Sequence, residues 1–353
     1  MTRIGRRLAL VLIICFAATS CQAPEPQKHA EIGMVLHYRG VDDTILGRQF
    51  DLMEAMDADW VRIDLDWSAI ESERGRYDWA VTDKLVDQAE AHGINVLGVI
   101  AFTPDWARSS TESSPENRRH QRPDRLSDYA EFTRMVVQRY APRGVHSWEV
   151  WNEPNTGKFW PPVQDADEYG ELFRQAADAI RDVDPDATVL IGGLTTQPDA
   201  PDPGLSPTEF LELLYDNGTA QLSDGVAAHP YSYPALPLDP SQQRLGGFSD
   251  LPALHDVMNA HGDGGKKIWI TEFGAPTGSS DRALSEEDQA TTLFQARGQL
   301  DQWAWAGPLI YYELVDGGTD LADPEQNFGV LREDLAPKAA AIELLLAASR
   351  KDD

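Results

Sequence analysis

Trp148-Glu149-Val150-Trp151-Asn152-Glu153-Pro154-Asn155 is a strand-like apolar run that carries a carboxylate, Glu153, to the point where a proline stops it. A second run, Ile268-Trp269-Ile270-Thr271-Glu272-Phe273-Gly274, does the same with Glu272. Outward from this pair, further runs rich in Val, Ile, Leu and aromatics occupy 31–38, 59–65, 94–102, 188–194, 225–231 and 308–314. The two carboxylate-bearing runs, 146–153 and 266–272, are then the fourth and seventh of eight. Longer amphipathic stretches separate the runs, which is the βαβα pattern of a parallel sheet. Eight such units predict an α/β fold closed into a (β/α)8 TIM barrel, one domain over 31–350.

The connections agree with closure. Segments leading into strands are short, such as Ala91-His92-Gly93 and Asp184-Pro185-Asp186-Ala187. Segments leaving strands are long and rich in Pro, Gly and polar residues: 103–126, 154–167, 195–206, 232–250 and 315–337. Elaboration of one face only places a site at the C-terminal ends of the strands. Two helix starts are legible: Ser206-Pro207-Thr208-Glu209 combines an N-cap, a proline at the first helical position and a capping-box glutamate, and Ser285-Glu286-Glu287-Asp288 repeats most of it.

Residues 1–21 stand apart. Arg3, Arg6 and Arg7 precede an apolar stretch from Leu8 to Ala18 that is short for a bilayer span, and small residues lead to Cys21. The pattern resembles a bacterial lipoprotein signal, with Cys21 lipidated as the first mature residue; plain secretion after ordinary cleavage, or retention as an uncleaved anchor, are the alternatives. Residues 22–30 read as a short tether. Cys15, the only other cysteine, lies inside the signal, so no disulfide is expected and stability must come from a core. Removing the signal takes three arginines and no acid, moving the formal charge from −28 to −31. Such a surface repels nucleic acid and anionic membranes, so membrane contact is expected only through lipidated Cys21. It favours neutral or basic glycans, weakly, over sulfated or uronate-rich ones.

The two runs, in this order on strands four and seven, resemble those of clan A glycoside hydrolases. The wider pattern is similar to families 39 and 5: Trp60-Val61-Arg62, then Trp67 with Ile70-Glu71 and Gly75 to Tyr77-Asp78-Trp79, then Thr103-Pro104-Asp105-Trp106, then Asn152 to Asn155 followed by Phe159-Trp160. The resemblance implies Glu153 as acid/base and Glu272 as nucleophile of a retaining β-glycosidase acting on an oligo- or polysaccharide, with no cofactor or metal. Family 39 β-xylosidases often continue the nucleophile strand as Glu-Tyr-Asn, where this chain has Glu272-Phe273-Gly274. Endo action on an exopolysaccharide or β-glucan is the preferred expectation. An exo-β-xylosidase, an envelope transglycosidase and a non-catalytic sugar-binding lipoprotein are the alternatives.

Around the pair, Arg62 is expected either to hold Glu272 ionised or to balance Glu149. Asn152 resembles the residue that bonds the sugar 2-hydroxyl, or else forms a turn. His229 and Tyr231 end strand six near the nucleophile, and His37 ends strand one. Tyr312 stands where many clan members place a stacking tryptophan. Trp106 and Trp160 are the preferred stacking platforms among the loop aromatics, which also include Trp67, Phe159, Tyr233 and Phe248.

Overall fold

The computed structural model describes residues 30–36, 38, 40–109, 115–196, 204–239 and 246–350. Eight strands, β1 (Ile32–Val35), β2 (Trp60–Asp66), β3 (Asn95–Ala101), β4 (Ser147–Asn152), β5 (Thr188–Thr195), β6 (Gly225–His229), β7 (Lys267–Phe273) and β8 (Ala306–Tyr311), pair in sequence order. All eight pairings are parallel and β8 closes on β1, so the barrel is complete. Each expected run supplies one strand. Helix α1 (Asp43–Ala55) follows β1, and α2 (Trp67–Ile70) with α3 (Ala80–Ala91) follows β2. Helices α4 (Leu126–Tyr140), α5 (Ala166–Arg181), α6 (Pro207–Asp216), α7 (Leu251–Ala260), α8 (Glu286–Leu300) and α9 (Ala339–Ser349) follow β3 to β8 in turn. No helix among the described residues is long and apolar enough to cross a membrane.

The alternation along β2 shows how one sequence serves two interiors. Val61, Ile63 and Leu65 join the large apolar layer between barrel and helices. Trp60 points the other way and packs edge-on against Trp269 at 5.0 Å, with Leu97, Leu190, Ala227 and Ile310 filling the barrel itself. This plug lies at the N-terminal end; further along β2, Arg62 and Asp64 reach the mouth.

Helix α5 shows how the outer ring is fixed. Asp165 caps it by accepting from the amides of Asp167 and Glu168. Tyr169, Leu172, Phe173, Ala176, Ala177 and Ile180 recur at helical spacing and are buried. Removing one large member, as in Phe173→Ala, would cost about 3–5 kcal/mol. At α6 both halves of the capping box form, with Ser206 and Glu209 satisfying each other's backbone amides, and Ser285 caps α8.

Candidate active site

The C-terminal end of the barrel opens into a cleft of ≈ 750 Å³. Its floor is built from Arg62 and Asp64 of β2, Asn152 at the end of β4 and Glu153 just after it, Tyr231 after β6, Glu272 on β7 and Tyr312 after β8. Its walls come from the long loops leaving the strands.

Simple alternation would put Glu149, Trp151 and Glu153 on one side of β4. The chain does otherwise: Trp151 has φ 72° and Glu153 φ 47°, left-handed values that non-glycine residues adopt at a cost. Trp151 turns outward into the helical layer, and Asn152 and Glu153, adjacent in sequence, both face the cleft. Phe102, after β3, has φ 74°. The break in the β4–β5 ladder at Trp151 leaves backbone groups to satisfy. Tyr169 of α5 does so, its hydroxyl donating to the Val150 carbonyl at 2.9 Å and accepting from the Gly192 amide at 2.8 Å. Asn155, last of the Asn-Glu-Pro-Asn run, bonds both the amide and the carbonyl of Thr195 and so ties the β4 loop to β5.

Arg62 organises the floor. Its Nε and Nη2 grip Glu149 at 3.0 and 3.1 Å, Nη1 donates to Glu272 Oε1 at 2.6 Å, and Nη2 also donates to Asn152 Oδ1 at 2.8 Å. Both expected partners, Glu272 and Glu149, therefore meet in one guanidinium. Burial works against its charge, but Glu149 and Glu272 outweigh burial and raise its pKa further. The amide of Asn152, with Oδ1 committed to Arg62, is left with Nδ2 as its donor to the cleft. Tyr231 donates its hydroxyl to Glu272 Oε2 at 2.8 Å; burial, and then the charge of Glu272, push this phenol well up, so it stays a neutral donor.

His229 lies beneath the pair, fully buried. Its Nδ1 is 2.9 Å from Glu153 Oε1 and 3.5 Å from Glu272 Oε2, and its Nε2 is 3.1 Å from Thr271 Oγ1. Burial alone would strip its proton, but the charge of Glu272 and the bond to Glu153 hold the imidazole above its usual range. Gly193 of β5 is what admits it, because a Cβ there would stand 2.1 Å from Nε2. One atom each of Glu153, His229 and Glu272 lie within 4.8 Å of one another.

Several expectations need correction. Trp106 does not line the cleft: its indole donates to the Glu71 carbonyl at 2.7 Å and packs edge-on against Trp67. Trp160 is buried between Trp151 and Tyr169. Both tryptophans serve loop packing, because a ring that finds a core partner gains more by burial than by waiting in solvent. Trp67 and Phe248 are likewise buried. The aromatics that do line the cleft are Phe102, Phe159, Tyr231, Tyr233, Tyr312 and Phe328. His229 reaches the carboxylates rather than the cleft space, which makes it a positioning residue instead of a substrate contact. His37 lies outside the described residues.

Residues 32–307 match the model of the cellulase family, glycosyl hydrolase family 5. The chain belongs to this family. As a family 5 member of clan A, it shares its fold with solved family 39 enzymes. One, from Bacteroides cellulosilyticus, superposes with a TM-score of 0.71 at 22% identity, covering 92% of this chain and 64% of that one. A family 39 β-xylosidase from Caulobacter crescentus gives 0.70 at 20% identity, with 93% and 72% covered. A curated β-xylosidase from Geobacillus stearothermophilus is 26% identical over 203 residues, half of this chain, and the match spans 38% of that protein's length.

Within the family 5 cleft, Arg119, Lys158, Thr196, Arg282 and Glu325 are lining residues that the sequence reading did not single out. The legible signal was Lys158, the one cation in the loop 154–167 of an acidic chain.

Proposed function

We propose that the chain is a retaining β-glycosidase, with Glu272 as nucleophile and Glu153 as acid/base. The observation that carries this reading is the closeness of the two carboxylates: oxygens of Glu153 and Glu272 lie within 4.8 Å, both against His229 Nδ1. Retaining enzymes hold the pair about 5–5.5 Å apart, whereas inverting enzymes need about 6.5–9.5 Å to admit a water. Glu153 protonates the departing oxygen as Glu272 attacks the anomeric carbon, giving a glycosyl ester. Glu153 then takes a proton from the incoming water, which displaces Glu272 and keeps the original configuration. Arg62 and Tyr231 hold the Glu272 carboxylate in place, one donor on each oxygen. Asn152 Nδ2 is the donor available to the sugar 2-hydroxyl.

Endo action on a polysaccharide is the finer reading, supported by a cleft whose walls come from the loops of six strands. The similarity to a β-xylosidase favours exo cleavage of xylosides as the second reading. An exported, lipid-anchored enzyme is the location that the N-terminal sequence supports. The test is proton NMR of the first product formed from a β-linked oligosaccharide, with Glu272→Gln beside wild type. A β-anomer released by wild type and not by the variant is expected; an α-anomer appearing first would exclude retention.

A further inference from the structure

Thirty Lys and Arg face 58 Asp and Glu in this chain, yet the cleft carries cations seated on aromatic rings. On the wall formed after β3 and β4, the Arg119 guanidinium lies 4.4 Å from the Phe102 ring centre and the Lys158 ammonium 4.9 Å from that of Phe159. His120 packs between these rings at 5.1 and 4.5 Å. Burial, and then the charge of Arg119, push its imidazole down to about 4. It is therefore neutral near pH 7, and its Nδ1 donates to the Lys158 carbonyl at 3.0 Å, pinning the segment that bears the lysine. On the β7 loop, Arg282 lies over Tyr233 at 4.6 Å.

The three cations differ in what occupies them. Arg119 pairs with Asp66 at 3.0 Å, and Arg282 donates to the Tyr233 carbonyl at 3.1 Å. Lys158 makes no ion pair among the described residues. The cleft carboxylate that feels it is Glu325, on the β8 loop and beyond ion-pair distance. Burial in the cleft pushes the Glu325 carboxyl up, against the pull of Lys158. The acidic outer surface is remote by comparison: at physiological salt its field decays over about 8 Å, while a group bound in the cleft meets Lys158 directly.

We infer that the cleft takes a glycan bearing a carboxylate, a uronate-containing oligosaccharide, with the carboxylate on Lys158 Nζ. The inference rests on the glycosidase reading of the same cleft and names its substrate class. It departs from the weak preference for neutral or basic glycans that net charge suggests: in the lining Arg62, Arg119, Lys158 and Arg282 balance Asp64, Glu153, Glu272 and Glu325, so the cleft lacks the acidic excess of the whole chain and a bound carboxylate meets Lys158 locally.

The experiment is calorimetric titration of Glu272→Gln protein, in which bound glycan survives, with oligosaccharides of glucuronoxylan and of β-mannuronan. Each is used as isolated and after chemical reduction of its carboxylates to alcohols. At least one native acidic oligosaccharide is expected to bind about tenfold tighter than its reduced form. The preference should shrink in 0.5 M salt, fall toward one with Lys158→Gln added, and return with Lys158→Arg. Equal affinity for native and reduced forms, binding of neither, or a preference that survives Lys158→Gln would overturn the inference. Turnover of aryl β-glycosides by wild type, absent in Glu272→Gln, judges the glycosidase reading separately.

Discussion

Glu272 is held at both oxygens by donors of different kinds, a guanidinium at 2.6 Å and a neutral phenol at 2.8 Å. The two are not equivalent targets. Arg62 also neutralises buried Glu149, so replacing it strands a carboxylate in the barrel, at a cost of about 3–5 kcal/mol that would obscure its effect on chemistry. Tyr231 touches Glu272 without that second duty, which makes Tyr231→Phe the cleaner probe. A hydrogen bond to a charged group contributes about 1.5–3 kcal/mol, and each 1.4 kcal/mol is tenfold in rate, so kcat should fall about 10–100-fold with little change in melting temperature. Steady-state kinetics on an aryl β-glycoside checks this, and a variant within twofold of wild type would remove Tyr231 from the machinery.

Elements place these residues through departures from regularity that are invisible to pattern reading. All eight strands were legible because buried parallel strands are nearly continuous apolar runs bounded by turn residues. Both glutamates were legible because each ends such a run. The inversion at Trp151 was not: period-two alternation assigns Trp151 inward and Asn152 outward, and only the φ of 72° reverses them. Trp106 and Trp160 misled for a related reason, since sequence places a ring in a loop but does not say whether the loop folds back onto the core. The support for the inversion is also distant in sequence, in Tyr169 on α5. Its loss in Tyr169→Phe would leave the Val150 carbonyl and the Gly192 amide buried and unpaired, each at about 1–3 kcal/mol. Denaturant unfolding should show a loss of that order, and kcat should fall as Asn152 and Glu153 lose their fixed register. An unchanged unfolding midpoint would show that the β4–β5 break closes without the hydroxyl.

At the scale of the whole molecule, the two ends of the barrel have opposite tasks. The chain enters at the N-terminal end, where the Ala30 amide bonds Asp301 at 2.5 Å beside Trp60, Lys267 and Ala306. The cleft opens at the other end. If Cys21 is lipidated, as proposed, the eight residues from Gln22 to His29 can reach no more than about 30 Å even fully extended. The end that carries Trp60 and Trp269 is then the one nearest the bilayer, and the cleft with Glu153 and Glu272 looks away from it. The anchored enzyme should therefore attack a soluble polysaccharide as readily as one freed of its lipid. Comparing kcat/KM for lipidated protein in vesicles with Cys21→Ser protein in solution tests the geometry, and agreement within about twofold is expected, since diffusion to an outward-facing cleft is little hindered. A tenfold loss on anchoring would mean that the mouth of the barrel faces the lipid, and that the short tether sets an orientation other than the one its point of entry implies.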